Sequence, residues 1–440
     1  MKQSLFACLF MLGSLAFAQG NFSGPGILSS GSGSVGQRSG QDVDLRYFVN
    51  ASGIHDTGFT PYAVTKEGTL LRPGALAGVE AGLGGYGRHS FRRSVLGLDY
   101  SGSFRHYPGS SKYDGSNQSL ALSYMIQKSP RLSFSMNQAA GTQNYGTAFG
   151  TNTGPVGTQD VVVDSNSLLF DNRTSFVQSS MTSQYAISGR TSISMGGSYY
   201  SIHRQSSALV GVNGYSLHGS VNRRISRSGT IGVNYQHTHY DFPRAFGESD
   251  VNMYSGSWST IFARSWTLGV TGGAYTSAVQ GVQSTALDPV IAALLGIGSV
   301  QTIFYQENIM PMGSVSLQKK LRRASWNVNY GRTVNPGNGV YLTSRQETYG
   351  ASYSYTGIRR LSLSSNVGVS KLGSLGLELR PYTQITGGAN LSYNLGAGFN
   401  LSAGYARRHQ DIRANSFQQD SSRISIGIYF SPGSVPVSFH

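Results

Sequence analysis

The sequence predicts an all-β fold: a transmembrane antiparallel up-and-down β-barrel of about 18 strands, with 16 as the nearest alternative count. Three observations predict it. Segments mostly 10 to 14 residues long alternate apolar with small polar residues along the chain, which is the period of a strand with two different faces. The longest apolar run beyond residue 20, Pro289 to Val300, is too short to cross a membrane as a helix, which takes about 20 residues. Charged residues make up only 12% of the 440, against 58 Gly and 26 Tyr, so the polar faces carry Ser, Thr, Asn, Gln and Gly. A soluble sandwich of this size would carry Lys and Glu there.

Taken in order, residues 1–18 read as a signal peptide, with Lys2 at its start, an apolar region from Leu5 to Leu15 and the A-x-A site Ala16-Phe17-Ala18. Cys8, the single cysteine, lies inside it, so no disulfide is expected in the exported chain. Residues 19–41, with "GPGILSSGSGSVGQRSG", form a Gly/Ser-rich flexible N-terminal segment. The barrel is assigned to 42–431 and a C-terminal tail to 432–440. Strands are expected near 43–54, 75–87, 93–105, 117–128, 131–140, 173–187, 190–202, 213–225, 229–240, 250–263, 265–277, 306–319, 324–335, 344–357, 360–371, 380–394, 397–410 and 420–431.

The stretch "SVLGLDYSGSF" displays the pattern. Leu96, Leu98, Tyr100 and Phe104 share one face, and Gly97, Asp99, Ser101 and Ser103 share the other. Membrane strands need about 9–11 residues when tilted, whereas strands of soluble sheets centre on about 5–6. Tyr100, Trp258, Trp266, Trp326 and Tyr393 end apolar faces, as the aromatic girdles of a membrane barrel do.

Short turns such as "SGR" at 188–190 and "ARS" at 263–265 take turns with longer loops, of which 141–172 and 278–305 are the longest. An even strand number puts both termini on the short-turn side. In the second long loop, Asp288-Pro289 followed by "VIAALLG" has the marks of a helix start, with Asp as N-cap, Pro at N1 and Gly296 near the stop. Asp288, Pro289, Leu294 and Leu295 are candidates for a constriction in the barrel mouth. The alternative is a helix packed on the loops outside it.

The formal charge is +15, and it is sorted by side. The short turns at 88–93, 128–131, 188–190, 223–228, 263–265, 318–323 and 357–360 hold 16 Lys or Arg and no acid. The principal members of this basic rim are Arg92, Arg93, Arg223, Arg227, Lys319, Lys320, Arg322, Arg323, Arg359 and Arg360. Two readings stand: cations seated among anionic phospholipid headgroups, or a vestibule that draws in anions. On the face opposite the apolar residues, alternation places Arg46, Arg105, His218, Arg224, Arg380, Arg408 and Arg423, with Asp44, Glu80 and Asp99. Such a set gives a lumen a weak anion preference, or else forms an Arg–acid ladder that braces the wall.

Two motifs lead nowhere. "GLGGYG" at 82–87 matches G-x-G-x-x-G but sits in an alternating strand with no helix after it, so its glycines are read as easing strand curvature. His237-Thr238-His239 with Asp241 is a pair of surface histidines at a rim, with no second cluster to complete a hydrolase or metal site. No enzyme activity, no cofactor and no metal is expected, and nucleic acid is a poor partner for an exported chain without a binding module.

From about residue 42 the chain resembles a Gram-negative outer-membrane β-barrel of the porin type, in architecture rather than in any specific motif. The last strand, "RISIGIYF", resembles the closing strand of such barrels, but Phe430 is followed by "SPGSVPVSFH", and Phe439 stands one residue from the end. The resemblance implies an outer-membrane location, lipids and the barrel assembly machinery as partners, and a passage for small polar solutes, anions among them. A conduit for polysaccharide export and a structural or adhesive barrel with a filled lumen are the alternatives; the oligomeric state is left open.

Overall fold

Two-faced strands that must hydrogen-bond every backbone group have one way to stand in lipid, which is to close on themselves. The computed structural model shows that closure. It describes residues 43–437 apart from 59–62, 65–69, 72–73, 111–112, 144–173, 206–208, 264, 287–298, 338–341, 376–380, 413–416 and 433. The signal and N-terminal segments, the expected helix with Asp288, Pro289, Leu294 and Leu295, and Arg380 lie outside the described residues.

The first wall strand, β1 (Val43–Thr57), is followed by a small hairpin, β2 (Ala63–Val64) and β3 (Leu70–Leu71). The wall resumes with β4 (Ala75–Ser90), β5 (Ser94–His106), β6 (Gly115–Ser129), β7 (Leu132–Gln143), β8 (Thr174–Ala186) and β9 (Thr191–Arg204). It continues through β10 (Val212–Arg224), β11 (Gly229–Phe242), β12 (Gly247–Phe262), β13 (Trp266–Ala286), β14 (Ser299–Lys320) and β15 (Ala324–Asn335). It ends with β16 (Ser344–Ile358), β17 (Leu361–Ser374), β18 (Tyr382–Gly396), β19 (Phe399–Ile412) and β20 (Phe417–Phe430), after which comes the short β21 (Ser434–Val437). The wall is a closed antiparallel barrel of 18 strands, and no α-helix occurs among the described residues.

Each wall strand pairs with its neighbour in sequence, and β1 closes the cylinder. It pairs with β4 along its whole length and with β20 from Val49↔Phe430 to Thr57↔Ser422. Below that, Val43↔Val437 to Arg46↔Ser434 continue the seam through β21. Residues 434–437 therefore belong to the wall, which corrects the reading of 432–440 as a tail only. A second correction concerns 278–305. β13 and β14 pair out to Ala286↔Ser299, so much of that span is a projecting hairpin rather than a loop.

Along the strands the exposed apolar side chains take the outward parity, as at Leu98, Leu120, Met195, Val233, Ile426 and Ile428, with Ile261 beside a short turn the exception. At the short-turn ends they finish in packed aromatics. Trp266 and Trp326 meet edge-to-face with centroids 4.9 Å apart, Phe262 stacks on Trp266 at 5.8 Å, and Phe399 lies 4.7 Å from Phe430. Nearer the long loops, Tyr235–Tyr254 and Tyr330–Tyr349 pair at 5.1 and 5.0 Å. Two girdles bracketing an aliphatic band is the surface of a strand-built membrane wall.

Two glycines of "GLGGYG" make room for side chains of the neighbouring strand. Gly82 and Gly84 face inward on β4, and a Cβ there would overlap the Asn50 amide and the Phe48 ring that lie across them from β1.

A charge on the aliphatic band tests the inside–outside assignment. Val233 is 69% exposed on the outward face of β11, while its neighbour Asn234 faces inward and lies 3.4 Å from Ser255. Val233→Arg is expected to lose about 2–4 kcal/mol of unfolding free energy in lipid vesicles, and Asn234→Arg less than about 1 kcal/mol. Urea titration of the two variants reads the difference, and equal losses would contradict the assignment.

Candidate functional site: the barrel lumen and its long-loop mouth

Alternation along each strand decides what enters the lumen, and the inward residues change character with height. In the short-turn half they are hydroxyls and amides joined across strands, half-exposed except at Ser392, Asn400 and Ser402, which are buried. Ser194 and Ser220 share a hydrogen bond of 2.7 Å, as do Ser325 with Ser354 and Ser101 with Ser119. This half is a polar vestibule.

Towards the long loops the inward residues become buried, in two different sectors. Across β18, β19, β20, β1, β4 and β5 they are charged or hydrogen-bonding. Arg105 donates from Nε and Nη2 to Glu80 Oε2 at 3.0 and 2.6 Å. Arg423 donates from Nε to Asp56 Oδ2 at 3.2 Å, and the Tyr107 hydroxyl donates to the same oxygen at 3.1 Å. Arg408 Nη2 and Gln419 Nε2 both donate to the Gly58 carbonyl, at 3.3 and 2.7 Å. Gln410 donates to the Tyr382 hydroxyl at 2.7 Å, which in turn donates to Gln384 at 3.0 Å. Asp56 and Arg423 are register partners across the closing seam, so this ion pair bolts the first wall strand to the last.

Across β9 to β13 the buried inward residues are mainly apolar, with Arg204, Ser216, Thr238, Ser249 and Ser277 buried among them. Tyr200, Ile202, Val212, Tyr240, Phe242, Val251, Met253, Tyr275 and Val279 form one cluster. Leu375, from the loop after β17, belongs to it, and Val210 and Leu342 from two further loops pack against it. The expectation of a uniformly polar inner face fails here, for a readable reason. On β9 the apolar residues are outward at Met195 and Tyr199, then inward at Tyr200 and Ile202; on β11 they are outward at Val233 and Tyr235, then inward at Tyr240 and Phe242. The alternation reverses phase where the outside of the wall passes from hydrocarbon to water, because above that level only the inside offers apolar contact. Leu375, Val210 and Leu342 thus bring loop residues onto this inward face at the long-loop end.

The candidate cations sort accordingly. Arg105, Arg408 and Arg423 face inward as expected, but they are only 3%, 4% and 3% exposed, and Arg105 and Arg423 are ion-paired. They brace the wall rather than stand as free pore charges. Arg224 turns back on its own hairpin, donating to the Ser226 and Arg227 carbonyls at 3.0 and 2.9 Å. Arg46 and His218 remain half-buried on the inward face, and Arg88, which alternation on β4 also points inward, joins them. The basic rim residues Arg92, Arg93, Arg223, Arg227, Lys320, Arg322, Arg323, Arg359 and Arg360 are exposed at the short-turn ends, with Lys319 half-buried beside them.

His237 and His239 point outward on β11. The acid beside them is Asp250 on β12, with Oδ1 2.9 Å from His239 Nδ1, rather than Asp241. No metal-binding group occurs among the described residues.

Sequence reasoning missed Asp56, Tyr107, Tyr382, Gln384, Gln410 and Gln419. The usable signal was strand length. β1 runs to Thr57, past the expected end at 54, which puts Asp56 on the inward face.

The loop after β5 is tied at its base by Asp114, which accepts the Tyr107 N–H at 2.8 Å and lies 2.7 Å from His106 Nδ1. Partial burial raises its carboxyl pKa, but the Tyr107 and His106 hydrogen bonds outweigh this and hold it below the ordinary value of 3.8.

No family model and no curated protein matches this chain. Solved structures do. A BenF-like porin from Pseudomonas fluorescens Pf-5 aligns at 11% identity and a TM-score of 0.44, over 89% of this chain and 99% of that one. Pseudomonas aeruginosa OpdQ aligns at 10% identity and 0.42, over 89% and 97%. Pseudomonas aeruginosa OccK2 (OpdF) in complex with glucuronate aligns at 10% identity and 0.42, over 88% and 98%. At these scores the likenesses decide nothing about function.

Arg423→Met strands Asp56 and is expected to cost about 3–5 kcal/mol, whereas Asp56→Leu/Arg423→Met together recover most of the loss. Urea unfolding of the three variants measures this, and full additivity would show that the pair does not act as a unit. For Asp114 the folded-state pKa lies below the unfolded one, so its contribution is present above about pH 4 and disappears as pH falls through the folded value. The protection of Tyr107 N–H, taken relative to its intrinsic exchange rate at each pH, is expected to fall on acidification in the native chain and to be low and unchanged by pH in Asp114→Ala.

Proposed function

We propose that this chain is an outer-membrane pore for small polar solutes, anions included. One observation carries the reading: a closed 18-strand wall, apolar outside and lined inside by hydroxyls, amides and Arg. A barrel of 16–18 strands leaves room for an aqueous channel. A solute from the short-turn side meets the Ser/Asn vestibule first, then the long-loop end. There a hydrogen-bonding sector and an apolar, Tyr-rich sector suit a solute with one polar and one apolar side. Membrane lipids and the barrel assembly machinery are the partners that such a wall requires. The basic short turns raise the local concentration of anions at the vestibule.

The ion preference is assigned to Arg46 and Arg88, because they face the vestibule half-exposed, and not to the buried, braced Arg105 and Arg408. Conductance of the refolded protein in a planar bilayer under a KCl gradient tests this. Steady channels with a chloride-favouring reversal potential are expected, and Arg46→Glu/Arg88→Glu should move that potential toward potassium. A folded barrel that does not conduct would overturn the pore reading.

A further inference from the structure

We infer that the outer wall carries a seat for a single anionic phospholipid of the short-turn leaflet, built across β15, β16 and β17. This rests on the membrane reading of the barrel. The outward residues Trp326, Val328, Ala351, Tyr353, Ser365 and Val367 line a groove of about 360 Å³. The register explains the hollow: Trp326 pairs with Tyr353 and Val328 with Ala351, Tyr353 pairs onward with Ser365, and Ala351 with Val367. The small Ala351 and Ser365 make the floor between larger neighbours. An apolar trough open to the hydrocarbon side is shaped for an acyl chain.

The head of that trough is cationic. The turn between β14 and β15 holds Lys320, Arg322 and Arg323, and the turn between β16 and β17 holds Arg359 and Arg360, all exposed. Arg323 is three residues from Trp326 and Arg359 six from Tyr353, roughly 10–20 Å at ~3.3 Å per residue, which is the reach of a lipid headgroup. Neither the two turns nor the groove contains an Asp or Glu. The two turns are also tied together: the Thr356 N–H donates to the Arg323 carbonyl at 2.8 Å, and Arg323 Nη1 donates to the Gly357 carbonyl at 3.4 Å. Lys319, register partner of Trp326, holds its ammonium 4.5 Å from the Trp266 ring centre, on the flank of the seat.

Arg360 sits at φ 66°, in the left-handed region that a glycine occupies without strain, so Gly there removes the cation and relaxes the turn at once.

The chain has three tryptophans, so Trp258→Phe/Trp266→Phe leaves Trp326, in the groove, as the only reporter. The protein is refolded into phosphatidylcholine vesicles containing bromine-labelled phosphatidylglycerol or, in parallel, bromine-labelled phosphatidylcholine, and Trp326 quenching is titrated. Phosphatidylglycerol is expected to quench preferentially. Arg322→Gln and Arg359→Gln should each lower the preference about fivefold. Ser365→Leu should fill the floor and lower quenching by both lipids. Arg360→Gly should lower the preference while raising the urea midpoint, two changes that a purely structural residue would not combine. No preference in the reporter background, a preference untouched by the Gln variants, or quenching unchanged by Ser365→Leu would each overturn the seat. Flotation of the same vesicles on a density gradient after alkaline washing reports insertion, so an inserted barrel without lipid preference fails this inference alone, and a barrel that does not insert fails the membrane reading.

Discussion

The structure depends on one constraint: in a hydrocarbon layer every backbone N–H and C=O must find a partner within the protein. An open sheet fails at its two edges, so the first strand has to meet the last. Here β1 meets β20 and then β21, and the meeting is secured twice. Along the backbone it is a continuous antiparallel ladder, and inside the lumen it is the Asp56–Arg423 pair with the Tyr107 hydroxyl on the same carboxylate oxygen. Such a buried pair adds little stability over apolar packing. Its value lies in register, since a slip of one residue would turn one of the two charges outward and leave the other buried without its partner.

The same constraint explains why the lumen has two halves. Where the outside is hydrocarbon, apolar side chains gain by facing out, and the inside is left to Ser, Asn, Gly and water. Above the upper tyrosines the outside is water, so the apolar residues of β9 to β13 turn inward and take loops onto themselves. The apolar cluster inside the long-loop end is thus a consequence of strands that run on past the aliphatic band. The charged sector on the other side uses the same height for hydrogen bonding, and the two together give the mouth a polar wall and an apolar one.

Charge follows the same axis. The short turns are basic and free of acids, while Asp and Glu gather toward the long loops. That separation gives the two ends of the barrel opposite electrostatic character. The bracing arginines of the lumen and the exposed arginines of the turns therefore do different work although alternation alone cannot separate them. Partnering and depth make the difference.

The sequence by itself determined the class of fold, the strands and the two sides of the wall, because a period of two is set by local backbone geometry and each strand reports it independently. It also determined the girdle at Trp266 and Trp326 and the sorting of the basic turns. Only the tertiary structure decided which inward charges are neutralised, since Arg105 with Glu80 and Arg423 with Asp56 are partners from different strands, the latter far apart in the chain. It likewise decided that the "GLGGYG" glycines make room for Phe48 and Asn50, that 434–437 joins the wall, and that a groove lies where Ala351 and Ser365 fall diagonally across β16 and β17. Each of these depends on register, and register is a property of strand pairs that no single strand carries.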